Sequence, residues 1–134
     1  GGWNLIKNRL LPMLESKAGT LWEMCEGSDA FNRAGSLCHG WTAIHAWLCH
    51  AWILGIRPVE PGFRKFTVAP FPAGLSAVQG EVVTPAGKIK VKWQTEEGRT
   101  TLELGHPAGL QPEFCPLPEM AFDPDRDVKV MIIN

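Results

Sequence analysis

The stretch Trp52-Ile53-Leu54-Gly55-Ile56-Arg57-Pro58-Val59-Glu60-Pro61-Gly62-Phe63-Arg64-Lys65-Phe66-Thr67-Val68 holds the change of pattern on which the fold depends. Before it, apolar residues recur at helical spacing; at its end they alternate with polar ones. Gly55 can take the left-handed backbone that closes a helix, and Pro58 cannot continue one. Phe63-Arg64-Lys65-Phe66-Thr67-Val68 then has the period of two of a half-buried strand. The reading is α followed by β, with the boundary near residues 56–61.

Upstream of this switch a helix is expected to begin between Ser36 and His39. It runs through Trp41, Ile44, Trp47, Leu48, Ala51, Trp52 and Ile53 to Leu54. It is apolar nearly all round, so it requires cover on most of its faces and places its tryptophans in a core. Earlier still, Trp3, Leu5, Ile6, Leu10, Leu11, Met13 and Leu14 give residues 3–17 the spacing of an amphipathic helix, bent at Pro12 and stopped by Gly19. From Gly19 to Gly35 the periodicity fails, which reads as a long irregular loop.

Downstream, Glu81-Val82-Val83, Lys88-Ile89-Lys90-Val91-Lys92-Trp93 and Thr100-Thr101-Leu102-Glu103-Leu104 are strand runs. Thr84-Pro85-Ala86-Gly87 and Glu96-Glu97-Gly98 separate them as hairpin turns, so residues 80–104 are expected to form an antiparallel meander. In it Ile89, Val91 and Trp93 face inward and Lys88, Lys90 and Lys92 face water. Residues 107–127, rich in proline and acid, read as a surface crossing, and residues 128–133 as one more strand.

With 134 residues, 45% of them apolar and 20% charged, and a net charge of −1, the chain has a globular composition. Its basic residues form no cluster, which argues against nucleic acid. The longest apolar run, residues 43–56, contains His45 and His50 and is too short to cross a bilayer, so no membrane partner is expected. Cys25, Cys38, Cys49 and Cys115 include no CxxC pair, and His45 and His50 form no HExxH arrangement, so no metal site is expected. The four thiols read as reduced and buried, although their even number leaves disulfides open. The chain starts Gly-Gly-Trp, without methionine or signal-peptide pattern, and is expected to begin mid-protein. The compartment stays open between cytoplasm and periplasm.

Motifs for serine esterases, dinucleotides and nucleoside triphosphates are absent, and no cofactor is expected. Two places remain. Glu23 stands beside Trp22 in the irregular loop, where partial desolvation can tune a carboxylate and an indole can face a sugar. By itself the pair equally suits a solvated loop glutamate next to a packed tryptophan. His39 stands at the expected helix start, where it either donates a hydrogen bond to a substrate or caps its own helix.

Taken in order, Trp3 to Glu15, Gly19-Thr20-Leu21-Trp22-Glu23, Ser36-Leu37-Cys38-His39-Gly40-Trp41 and Leu54 to Phe66 resemble the C-terminal end of bacterial α-L-rhamnosidases of glycoside hydrolase family 78. The Thr84-Pro85-Ala86-Gly87-Lys88-Ile89 hairpin adds to the match, which weakens after about Leu104. This resemblance implies an α+β chain: the last helices of an (α/α)6 barrel over residues 1–57, then a C-terminal antiparallel β-sandwich over 58–134. It also implies a parent glycosidase that releases terminal α-L-rhamnose from a rhamnose-containing saccharide or glycoside with inversion. Glu23 would then be the general base, His39 and Trp22 would line the sugar pocket, and the general acid would lie outside the chain. The alternatives are a non-catalytic β-sandwich module for packing or glycan binding, and the end of another (α/α)6 glycosidase. The implied partner is the remainder of the parent barrel. Without it the piece is expected to be inactive and to self-associate through its apolar helix.

Overall fold

The structure, a computed structural model, describes residues 2–120 and 122–133, with Trp3 described by its backbone alone. The Trp3 side chain, counted above among the apolar residues of the first helix, therefore lies outside the described residues. By its contacts the chain divides into two compact units, Gly1–Trp47 and Leu48–Asn134.

In the first unit, helix α1 spans Gly2–Glu15 and keeps Pro12 inside. It ends before Gly19, whose φ is +61°. Met13 is its buried residue, whereas Leu5, Leu11 and Leu14 are exposed. The expected irregular loop follows, with a 3-10 turn at Gly27–Asp29 and a helical turn at Ala30–Arg33.

The long helix expected up to Leu54 is instead three short pieces. A 3-10 turn at Gly40–Ala43 and an α-helical stretch at Ile44–Leu48 come first. In the second unit a π-helical turn covers Cys49–Ile53. There the Leu54 N–H donates to the Cys49 carbonyl at 2.8 Å, five residues back, the wider loop of a π-turn. The core placement of three tryptophans is also corrected: Trp41, Trp47 and Trp52 are 87%, 53% and 44% exposed. Apolar periodicity identifies a face that prefers cover and does not supply the cover. Likewise the four cysteines are free, but Cys38 and Cys49 are exposed rather than buried.

Gly55 has φ +87°, and a Cβ there would lie 2.3 Å from the Pro70 nitrogen. Only glycine accommodates both demands. The chain then enters seven strands: β1 (Ile56–Pro58), β2 (Lys65–Val68), β3 (Ala77–Thr84), β4 (Gly87–Glu96), β5 (Arg99–His106), β6 (Gln111–Phe114) and β7 (Val128–Ile132). They form two sheets, ordered β1-β2-β6 and β3-β4-β5-β7. The meander is as the sequence suggests. Thr84 pairs with Gly87 across Pro85-Ala86, and Glu96 pairs with Arg99 across Glu97-Gly98. Glu97 and Gly98 take φ +49° and +78°, the sign required at both centres of a type I′ turn. Ile89, Val91 and Trp93 are buried, and Lys88, Lys90 and Lys92, which alternate with them, are exposed.

Two features depart from an antiparallel sandwich with a surface crossing. β2 pairs with β6 and β5 with β7 in parallel, so both sheets are mixed. Residues 107–127 supply strand β6 and bury Leu110, Met120, Phe122 and Asp127. Pro112 is tolerated in β6 because that strand lies at the sheet edge, where a missing N–H costs no ladder bond. The two sheets meet in a sandwich-like core in which the Phe66 ring of β2 stands edge-on to His106 of β5, with centroids 6.0 Å apart.

Among the described residues no helix is long and apolar enough to cross a membrane.

Candidate active site

The first unit holds the candidate site, and backbone pairing within the irregular loop builds it. The Glu23 N–H donates to the Ser36 carbonyl at 2.9 Å, and the His39 N–H donates to the Leu21 carbonyl at 2.8 Å. Two short segments, residues 21–23 and 36–39, thus run against each other in opposite directions. The Thr20 hydroxyl adds a bond to the Leu37 carbonyl. A loop without sequence periodicity is in this way given a fixed closure at its base.

What lies inside the closure is also constrained. Gly27, at φ +62°, would bring a Cβ within 2.9 Å of the Trp22 ring, so the indole packs directly on bare backbone. Gly35 would bring a Cβ within 2.0 Å of the Gly27 carbonyl oxygen. The Trp22 N–H of the main chain points to the Met13 sulfur of α1 at 3.4 Å. The indole Nε1 is buried and has no hydrogen-bond partner among the described residues.

The result is an open pocket of about 500 Å³ that Trp22, Glu23 and His39 all line. The three residues singled out from the sequence are therefore brought to one place. Glu23 is exposed, whereas Trp22 and His39 are half-buried. His39 has extended backbone, with φ −129° and ψ 115°, and precedes the 3-10 turn at Gly40 without a side-chain bond to it. It does not cap that turn. Its ring meets Trp41 edge-on, with centroids 5.7 Å apart.

The pocket also includes residues that sequence reasoning assigned elsewhere or passed over. Trp41, expected in a core, forms part of its wall, as do Glu26, Arg9 and Thr42. His45, read as a core or interface residue, lines it too. The His45 Nδ1 lies 2.7 Å from the Thr42 carbonyl oxygen. A carbonyl only accepts, so Nδ1 carries the hydrogen and a neutral ring keeps its lone pair on Nε2. The signal available in the sequence was the spacing of His39, Thr42 and His45, which a 3-10 turn brings to neighbouring positions.

Chemically the pocket offers a carboxylate open to water, a second carboxylate at Glu26, the Arg9 guanidinium, two imidazoles and two indoles. Such a set can accept a proton from water and offers flat apolar faces beside hydrogen-bonding groups.

Comparison with known proteins gives a consistent result. Residues 55–120 match the family model described as bacterial alpha-L-rhamnosidase C-terminal domain. An alpha-L-rhamnosidase of Alteromonas sp. strain LOR is 30% identical over 110 residues, which are 77% of this chain and 12% of that protein. An alpha-L-rhamnosidase of Formosa agariphila is 28% identical over 139 aligned positions, covering 96% of this chain and 14% of that protein. Among solved structures, the GH78 family rhamnosidase of Bacillus sp. GL1 superposes with a TM-score of 0.77 at 26% identity, over 97% of this chain and 14% of that one. The chain thus spans about one seventh or less of the length of these relatives.

Proposed function

We propose, taking as premise that residues 55–120 match the family model of the bacterial alpha-L-rhamnosidase C-terminal domain, that this chain is part of a longer glycoside hydrolase that releases terminal α-L-rhamnose from a saccharide or glycoside. In this reading residues 1–57 are the last helices of an (α/α)6 barrel and residues 58–134 its C-terminal β-sandwich. Glu23 is the general base that deprotonates the attacking water, and His39 and Trp22 line the sugar pocket.

The observation that carries the proposal is that Glu23 and His39 stand on two hydrogen-bonded segments and line one pocket. A carboxylate open to water can take a proton from a water held beside it. Inversion needs a second carboxyl group about 6.5 to 9.5 Å across the sugar. Glu26 lines the same pocket, but it lies on the same loop only three residues from Glu23. The general acid is therefore assigned to the remainder of the parent barrel, and the isolated piece is inactive.

The test is Glu23→Gln in the full-length enzyme, assayed with an aryl α-L-rhamnoside. The expected outcome is a loss of kcat of about 10²-fold or more, the usual contribution of a positioned general base. Unchanged turnover removes Glu23 from the role.

A further inference from the structure

We propose that Thr42 is a positioning residue for Glu23. The inference rests on the reading of Glu23 as general base and concerns what holds it in place.

The peptide group that joins Trp22 to Glu23 is held at both of its polar atoms. Its carbonyl oxygen accepts a hydrogen bond from the Thr42 hydroxyl at 2.8 Å. Its N–H donates to the Ser36 carbonyl at 2.9 Å. A peptide group is planar, so bonds to both of these atoms fix the orientation of the whole plane. That plane fixes the place of the Glu23 Cα, the point from which the side chain reaches into the pocket. The carboxylate itself makes no hydrogen bond or ion pair among the described residues, so these bonds hold Glu23 at its backbone attachment.

Thr42 is itself held on both sides. Its N–H donates to the His39 carbonyl at 3.1 Å, and its carbonyl accepts from His45 Nδ1 at 2.7 Å. His39 in turn donates its N–H to Leu21. A closed circuit of bonds thus runs from Leu21 through His39 and Thr42 to the Trp22–Glu23 peptide. It couples the position of Glu23 to that of His39 on the opposite segment. The hydroxyl of Thr42 is the only side-chain group in this circuit that bonds directly to the peptide carrying Glu23.

General-base attack by water depends on placement, and an error on the order of 1 Å costs up to about 10²-fold in rate. In the full-length enzyme, Thr42→Val keeps the side-chain shape and removes the hydroxyl. It is expected to lower kcat by about tenfold or more while KM for an aryl α-L-rhamnoside changes by less than about twofold. Thr42→Ser returns the hydroxyl and recovers most of the lost turnover. Glu23→Gln is run alongside. An inactive Glu23→Gln enzyme beside a Thr42→Val enzyme of wild-type kcat overturns the positioning role alone. A fully active Glu23→Gln enzyme overturns the general-base reading on which it stands. If Thr42→Val does not fold, Thr42→Ala is read in its place, and a folded Thr42→Ser enzyme as slow as Thr42→Ala overturns the inference.

Discussion

The indole N–H of Trp93, on the inward face of β4, donates to the main-chain carbonyl of Ile53 at 3.0 Å. Trp93 is fully buried, and Ile53 is the last residue of the π-helical turn. The bond satisfies the one polar atom of a large side chain and, at the same time, a carbonyl left free at a helix end. Trp93→Phe removes the donor and part of the ring, leaving that carbonyl buried and unpaired. The expected loss of stability is about 2 to 4 kcal/mol, from the unpaired group together with the cavity. Chemical denaturation of the two proteins measures it, and a loss below about 1 kcal/mol would show that the pairing is incidental.

Gly55 and Gly19 both have positive φ, but their surroundings differ. At Gly55 a Cβ meets the Pro70 backbone at 2.3 Å, whereas at Gly19 it meets nothing within 4 Å. Gly19→Ala is expected to cost about 1 to 2 kcal/mol, the price of a left-handed conformation alone. Gly55→Ala adds a backbone clash that no rotamer change relieves, and should cost clearly more or prevent folding. Equal melting temperatures for the two variants would contradict the close approach of Gly55 to residues 69–70.

Asp127 is the buried anchor between the helical turn at Pro124–Asp127 and the edge of β5. Its side chain is 2% exposed and accepts bonds from Arg99, Arg126 and the Asp123 N–H. The Arg126 guanidinium, the Asp123 N–H and Arg99 hold its carboxyl well below the usual carboxylate range, against the opposing effect of burial. Its pKa is lowered on folding, so it contributes stability above its unfolded value of about 3.9 and loses it as pH falls below that value. Thermal melts are therefore expected to fall more steeply below about pH 4 for the natural chain than for Asp127→Asn. Asp127→Asn should also be the less stable of the two at neutral pH. Parallel pH profiles for the two proteins would rule the linkage out.

Within the first unit, Leu5, Leu14, Trp41, Ile44 and Trp47 all keep more than half of their surface in water. Exposure of this many large apolar side chains in a unit this small is a liability in solution. The isolated chain is expected to self-associate with rising concentration in analytical ultracentrifugation, and Trp47→Lys to weaken that association. A monodisperse monomer at high concentration would contradict the prediction.

Much of the second unit was legible in the sequence because strand physics is local. Alternation along Lys88 to Trp93 names the buried face, and the turn residues at Thr84–Gly87 and Glu96–Arg99 set the register. Gly55 announced the end of the helical region for the same reason, since a positive φ is a property of one residue. Strand β6 escaped notice because four residues containing a proline have too little pattern to read, and its identity comes from lying beside β2. The parallel pairings of β2 with β6 and β5 with β7 join residues far apart in the chain, a choice that only three-dimensional packing makes. The first unit divides in the same way. From the sequence came Glu23, Trp22 and His39, through residue type and ordered company. That they line one pocket, with Thr42 bonded to the peptide that carries Glu23, depends on hydrogen bonds between segments 21–23 and 36–42. No periodicity encodes those bonds: Glu23 to Ser36 and His39 to Leu21 join backbone groups that every sequence possesses, Thr42 adds a hydroxyl to a backbone carbonyl, and the fold alone decides which groups meet.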